Sequence, residues 1–288
     1  RAAMESRGLG DVYKRQICHF TCKIPKIISI TVVIDMAELC LTLNSSMNIA
    51  LPIINPPADN GRRSFWSVMI PTYQPDPDYL RQTLLNVLDQ APGPDQMQIE
   101  VIDDCSSDID VENLVKDIGS GRITFYRHSQ HQGIGGNWNS CIERARGQWV
   151  HILHQDDLVL PGFYSRLREG IEQTPGLGAA FCQHYFIDAG NNRKLLTRLC
   201  QEHPGVLENW AQYIFVDLSI QTPAIVVKRE AYEQLGGFRL DMKYALDWDM
   251  WKRIACQYPI WFEPQPLACY RIHEMSATTL LNGRLITI

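Results

Sequence analysis

Twice in this chain a short apolar run ends in two adjacent aspartates. Ile99-Glu100-Val101-Ile102 leads into Asp103-Asp104, and Trp149-Val150-His151-Ile152-Leu153-His154-Gln155 leads into Asp156-Asp157. Where a parallel strand hands over to a loop, ligands bind in the crevice at the strand's carboxyl end. Two acids emerging there are placed to hold a hard divalent cation, which commonly shares its shell with substrate phosphates. Taken alone, an Asp-Asp pair is more often a loop acid or a helix N-cap, and Asp103 could equally serve an Asx-turn before Ser106 and Ser107. The surroundings have to decide. His151 and His154 flank the second pair, and His151 alternates with buried positions and reads as packing.

The elements that must position these acids follow from periodicity. Phe65 to Ile70 is a buried-strand pattern stopped by Pro71, with Thr72 and Tyr73 in the loop. Leu80, Leu84, Val87 and Leu88 recur on one helical face. The second strand, Ile99–Ile102, precedes a helix marked by Val111, Leu114, Val115 and Ile118. Ile123–Tyr126 is a third strand, and Trp138, Cys141, Ile142 and Ala145 mark a third helix, closed by Gly147 before the fourth strand. Alternation of this kind predicts βαβ units and a mostly parallel sheet, an α/β fold. Further on come a helix with Phe163, Leu167 and Ile171, a strand over 177–182, a strand over 224–227 and a helix over 229–235. A helix over 247–255 and two short strands, 260–262 and 267–270, complete the pattern. Residues 183–222 are less regular and read as a variable lid or acceptor region.

Composition narrows the class. A chain of 288 residues with 45% hydrophobic residues can bury a substantial core. Its net charge of −5 and the lack of a Lys/Arg cluster with interleaved aromatics argue against nucleic-acid binding. Nine cysteines, an odd count without a CxxC pair, fit a reducing cytoplasm better than a disulfide framework. The stretch Ile27–Leu43 is too polar for a membrane span. Residues 1–46 differ from the rest: the chain starts at Arg1, and Gly8 to Gln16 resembles an adaptor-derived translation artefact. A non-native or disordered leader is expected there, with Met47 as a plausible start and 47–288 as a single domain.

Six words in order span residues 65–275 and carry a resemblance. They are Ser67-Val68-Met69-Ile70-Pro71-Thr72-Tyr73, Glu100 to Asp108, Gly133-Ile134-Gly135-Gly136-Asn137-Trp138-Asn139, His154-Gln155-Asp156-Asp157, Leu246 to Trp251, and Tyr270-Arg271-Ile272-His273. The arrangement resembles the family 2 glycosyltransferases with their GT-A fold, and its short words look most like bacterial enzymes of surface-polysaccharide assembly such as rhamnosyltransferases. The resemblance implies a nucleotide-binding half at about 65–160 and an acceptor half at about 161–275. It also implies inverting transfer of a sugar from a UDP- or dTDP-sugar to a saccharide or lipid-linked acceptor, with Mn²⁺ or Mg²⁺, in the cytoplasm or at the inner face of the membrane. An end at Ile288 is compatible with truncation, since family members often continue with further helices.

By the same resemblance, Asp157, Asp156 and His273 match the metal positions. Asp104 matches the group that recognises the base, Asp103 lies beside it, and Pro71, Thr72 and Tyr73 line the nucleotide pocket. The Gly133–Asn139 stretch lacks the spacing and preceding strand of a dinucleotide fingerprint. Its glycines instead let backbone N–H groups approach an anion at a helix start. Many members carry Arg or Lys near Asn137, so diphosphate neutralisation by this loop is in question. Asp247 matches the general base, Asp249 is the substitute, and an N-cap is the plainer role for Asp247. Trp248 and Trp251 fit either sugar stacking or core. Two rivals stand beside this reading. A sugar-nucleotide pyrophosphorylase would need a Gly-rich basic loop after the first strand, where Pro71-Thr72-Tyr73-Gln74 stands. A catalytically inactive nucleotide-sugar-binding scaffold would have no need of Asp104, Asp156, Asp157 and Asp247 together.

Overall fold

The computed structural model describes residues 17–22, 30–35, 50–58, 63–208, 210–216 and 220–274. Two strands near the N-terminus, β1 (Ile17–Cys22) and β2 (Ile30–Asp35), pair antiparallel with each other in a sheet of their own. The rest of the expected leader, the start at Met47 and residues 275–288 lie outside the described residues.

The body is built on a ten-stranded sheet. Its first half follows the expected alternation: β3 (Trp66–Thr72), α1 (Pro77–Leu88), β4 (Met97–Asp103), α2 (Val111–Gly119), β5 (Thr124–Arg127), α3 (Gly133–Arg144) and β6 (Trp149–Ile152). Local chemistry sets these boundaries. The Asp76 carboxylate accepts from the N–H groups of Asp78 and Tyr79, and Pro77 opens α1, where its missing N–H costs nothing. Asp110 caps α2 in the same way through Asn113 N–H. Strands β5, β4, β3 and β6 all run parallel. They therefore deliver the loops after β3, β4 and β6 to one edge of the sheet.

The second half comprises β7 (Leu158–Val159), α4 (Phe163–Gln173), β8 (Ala179–Ile187), β9 (Arg193–Leu196), β10 (Gly205–Val206), α5 (Trp210–Val216), β11 (Ile225–Lys228), α6 (Arg229–Leu235), α7 (Leu246–Ala255) and β12 (Ile260–Arg271). Strand order is β10-β12-β8-β11-β6-β3-β4-β5, with β7 on β12 and β9 on β8. The α/β class stands, and the parallel part is the one the alternation implies, but the whole sheet is mixed. A parallel neighbour needs a long crossover. After β8 the chain instead folds back as the β8–β9 hairpin, and β11 enters antiparallel between β6 and β8. The two short late strands are one strand, β12, parallel to β8 with register shifts around Pro266. Proline cannot donate to the ladder, which breaks the pattern without ending the strand.

Alternation along β3 divides the core. Val68 and Ile70 pack with Leu80, Leu84, Val115, Phe163 and Leu167 on one face. Met69 lies with Ile142, Phe238, Met250 and Trp251 on the other. Among the described residues no helix is long and apolar enough to cross a membrane.

Candidate functional site

The first acid pair closes β4. Asp103 is fully buried, and its carboxylate is committed to neighbours. It accepts from Thr72 Oγ1 at 3.1 Å, Ser106 N at 3.0 Å and Ser106 Oγ at 2.5 Å, and pairs with Arg127 Nε at 2.8 Å. That work is structural: it fastens the loop after β4 to the end of β3. Asp104, also buried, faces the start of α3 and accepts from Gln132 N at 2.6 Å and Gly133 N at 2.9 Å. His131 Nδ1 lies 2.9 Å from Asp104 Oδ2, and the His131 ring stands 4.3 Å from that of exposed Tyr73. A carboxylate offers about four acceptor directions, so Asp104 keeps capacity for a ligand's N–H. Thr72 is buried beside this pair. Tyr73 is held by exchange with Gln155: its N–H donates to Oε1 at 2.9 Å and its carbonyl accepts from Nε2 at 3.3 Å. Pro71 is buried within β3. Gly133 takes a left-handed φ of 76°, which lets the chain turn its N–H onto Asp104. Asn137 is buried and donates to the carbonyl of Ile102 at 3.1 Å. It braces β4 rather than offering charge.

The second pair follows β6. Asp157 is fully buried; its Oδ1 accepts from the Arg271 backbone N–H at 2.8 Å, whereas its Oδ2 is buried without a hydrogen-bond partner. His154 Nδ1 stands 3.4 Å from that Oδ2, and the ring stacks on Trp138 with centroids 5.0 Å apart. One ligand atom each from His154, Asp156 and Asp157 falls within 4.8 Å of the others. Burial pushes the Asp157 carboxyl up to about 6, with the Asp156 charge adding to it and His154 pulling the other way. Burial works against charge on His154, yet the neighbouring carboxylate of Asp157, aided by the charges of Asp156 and Asp247, raises it overall. An orphaned carboxylate oxygen, a second carboxylate and an imidazole make a donor set that could hold a divalent cation. His273 meets only one of these acids closely, its Nε2 lying 2.8 Å from the accepting Asp156 Oδ2. His154 is the residue that sequence reasoning left unassigned. Its position two residues before Asp156 was the available signal.

Asp247 lies in the first turn of α7, its Oδ1 accepting from Trp248 N at 2.8 Å. Burial raises its pKa, and His154 is close enough to pull the other way. The preceding Ala245 is held at φ 56°, a left-handed conformation that side chains other than glycine rarely take. Asp249 is engaged elsewhere, with Arg253 Nε at 2.9 Å and Arg239 Nη1 at 3.9 Å. Trp251 is core, and Trp248 turns its indole N–H to the Ile214 carbonyl. His151 is buried between Tyr164 Oη and the Pro223 carbonyl, each at 3.1 Å, and is a packing residue.

Against known proteins, the family model described as Glycosyl transferase family 2 matches residues 67–236. The chain is similar to "Uncharacterized glycosyltransferase MJ1057" of Methanocaldococcus jannaschii, 26% identical over 211 residues that cover 72% of this chain and 70% of the relative. It is also similar to a "GalNAc(5)-diNAcBac-PP-undecaprenol beta-1,3-glucosyltransferase" of Campylobacter jejuni, 34% identical over 110 residues, 36% of this chain and 33% of that one. Among solved structures, S. aureus TarS 1-349 in complex with UDP-GlcNAc superposes with a TM-score of 0.62 at 16% identity, covering 75% of this chain and 60% of that chain. The likeness to TarS is one of fold: both have the α/β GT-A architecture.

Proposed function

The chain belongs to glycosyl transferase family 2, and from that premise we propose that it transfers a sugar from a UDP- or dTDP-sugar, with inversion, to a saccharide or lipid-linked acceptor in polysaccharide synthesis. The reaction uses a divalent cation, Mn²⁺ or Mg²⁺. The observation that carries this reading is the cluster of His154, Asp156 and Asp157 at the carboxyl end of β6, with the buried Asp157 Oδ2 unpartnered. The undecaprenol-linked substrate in the name of the Campylobacter relative and the UDP-GlcNAc bound to TarS lend support to the acceptor and donor classes.

In this reading residues 47–288 form one domain whose two halves supply different parts. Asp104, with Thr72 and Tyr73 beside it, receives the base, and its remaining acceptor direction takes the N3–H that uracil and thymine share. His154, Asp156 and Asp157 hold the cation, and His273 steadies Asp156. A divalent ion bound there supplies charge stabilisation for the departing diphosphate. Asp247, from the acceptor half, takes the proton of the acceptor hydroxyl as that oxygen bonds to the anomeric carbon. The bond from that carbon to the diphosphate oxygen breaks, and the nucleoside diphosphate leaves with the electron pair. Asp249 does not share this role, because two arginines already engage it.

The test is a thermal-shift titration of the full chain with UDP, dTDP, GDP and CDP, each with Mn²⁺ and with EDTA. A ligand that binds the native state alone stabilises it by about 2.7 kcal/mol at a hundredfold excess over Kd. The expected result is a shift for UDP or dTDP that is larger in Mn²⁺ than in EDTA. Silence with all four nucleotides in Mn²⁺ overturns the reading, whereas binding without sugar transfer favours the inactive nucleotide-sugar-binding scaffold.

A further inference from the structure

Arg271 ends β12, and its side chain is 1% exposed. A buried guanidinium ordinarily sits on a carboxylate. Among the described residues this one forms no ion pair, and its donors go to neutral oxygens instead. Nε donates to the Asp156 carbonyl at 2.7 Å. Nη1 donates to Asn191 Oδ1 at 2.6 Å, with the Asp188 and Ala189 carbonyls at 3.4 Å, and Nη2 reaches Gln82 Oε1 at 3.3 Å. The Tyr79 ring covers the group, 4.4 Å from its central carbon. The backbone N–H of the same residue donates to Asp157 Oδ1.

We infer that Arg271 is the positioning residue for the Asp156–Asp157 pair, and that the tip of the β8–β9 hairpin is the brace that holds it. This rests on the cation-binding reading above. Adjacent carboxylates repel each other, and a loop carrying them would splay unless something fixed it. One residue fixes both members here: its main chain takes one oxygen of Asp157, and its side chain takes the backbone of Asp156. Asp157 Oδ2 is thereby left turned toward His154, as a ligand should be. Only a planar fork can span the Asp156 carbonyl on one side and Gln82 with Asn191 on the other, so lysine is no equivalent. The hairpin belongs to the stretch that sequence reading assigned to the acceptor, so the brace runs from that region to the acids.

The experiment measures Mn²⁺ binding to the full chain by electron paramagnetic resonance, together with UDP affinity in Mn²⁺ and in EDTA and the melting temperature. The proteins are wild type, Asp157→Asn, Arg271→Lys and the double variant Gln82→Ala/Asn191→Gly. Glycine is chosen at 191 because Asn191 has φ 65°. Wild type binds Mn²⁺ and Asp157→Asn does not. Arg271→Lys is expected to weaken Mn²⁺ roughly 10–100-fold, the usual effect of losing a group that orients ligands. The double variant loses affinity in the same direction by less. UDP affinity in EDTA stays unchanged in all. Wild-type Mn²⁺ affinity in the double variant and in folded Arg271→Lys overturns the positioning role while the proposed function stands. If Arg271→Lys does not fold, the double variant decides. A parallel fall of UDP affinity in EDTA and melting temperature marks general destabilisation and also overturns the positioning role. Failure of wild type to bind Mn²⁺ overturns the cation reading and this inference together.

Discussion

At the scale of single residues, the acids divide into those that are used up and those that are not. Asp103 satisfies Thr72, Ser106 and Arg127, while Asp157 keeps a buried oxygen with no partner. That oxygen carries a stability cost. A carboxyl raised from 3.8 to about 6 binds its proton more tightly when folded. The contribution of this carboxyl to stability is therefore greatest below pH 4, falls as pH rises to about 6, and stays low above it. The difference amounts to about 3 kcal/mol at 1.36 kcal/mol per unit. Asp157→Asn should therefore melt higher than wild type at pH 7 in EDTA, and the gap should close by pH 4, while Mn²⁺-dependent UDP binding is lost. Equal melting temperatures at pH 7 would show that the carboxylate is not strained by burial. For Asp247→Asn the expectation is different: UDP affinity in Mn²⁺ is kept, and transfer falls roughly 10²–10⁴-fold, the usual value of a positioned base. A rate near wild type would remove Asp247 from that role. The family resemblance pointed to Asp104, Asp156, Asp157 and Asp247 in the sequence, as expectations carried by the order of the motifs. They could not tell that Asp103 is spent and that His154 joins the acids, because the deciding partners Arg127, Trp138 and Arg271 are distant in the chain.

At the scale of elements, the parallel half was legible because each strand is a short apolar run and each helix keeps one apolar face. In the mixed half β8, β11, α6 and α7 were legible as well, but β9, β10 and the continuity of β12 were not. β9 is exposed throughout and β10 has two residues, so neither shows alternation. β12 hides behind Pro264 and Pro266. One junction in the legible half is sensitive to a single atom. Gly147 precedes β6, and a Cβ there would stand 2.6 Å from the Trp66 carbonyl carbon and 2.7 Å from Ser67 N. Its N–H also donates to Ser67 Oγ at 2.7 Å. Because backbone cannot yield as a side chain does, Gly147→Ala should push β6 from β3 at a cost of about 1–3 kcal/mol. Urea unfolding should show this loss. Since β3 and β6 both feed the site, UDP affinity in Mn²⁺ should fall with it. An unfolding midpoint equal to wild type would mean that the two strands separate freely at this end.

At the scale of the whole molecule, the candidate site and a buried structural tie lie at opposite ends of the sheet's strands. The acids leave the carboxyl ends of β4 and β6, as ligand sites in open α/β sheets do. At the other end, Lys228 pairs with Trp149, the first residue of β6, and Arg229 follows directly. Four residues of strand separate the two edges, about 13 Å at 3.3 Å per residue. Arg229 is 1% exposed and joins three segments: the Ala145 carbonyl at 2.7 Å, the Asn55 carbonyl at 3.1 Å and the Glu233 carboxylate at 3.0 Å. It ties the Pro-rich lead-in at 50–58 to the end of α3 and to α6. Its loss would strand buried acceptors and half-buried Glu233, a change that usually costs about 3–5 kcal/mol. At about 2–4 °C per kcal/mol for a chain of this size, Arg229→Met should lower the melting temperature by roughly 6–20 °C. Below the transition, its Mn²⁺-dependent UDP affinity should equal that of wild type, because no contact of Arg229 reaches the acids. Arg271→Lys is expected to do the reverse, weakening Mn²⁺ binding while UDP affinity in EDTA is unchanged. A loss of UDP affinity in folded Arg229→Met would show that strain crosses the sheet, and the division between its two edges would fail.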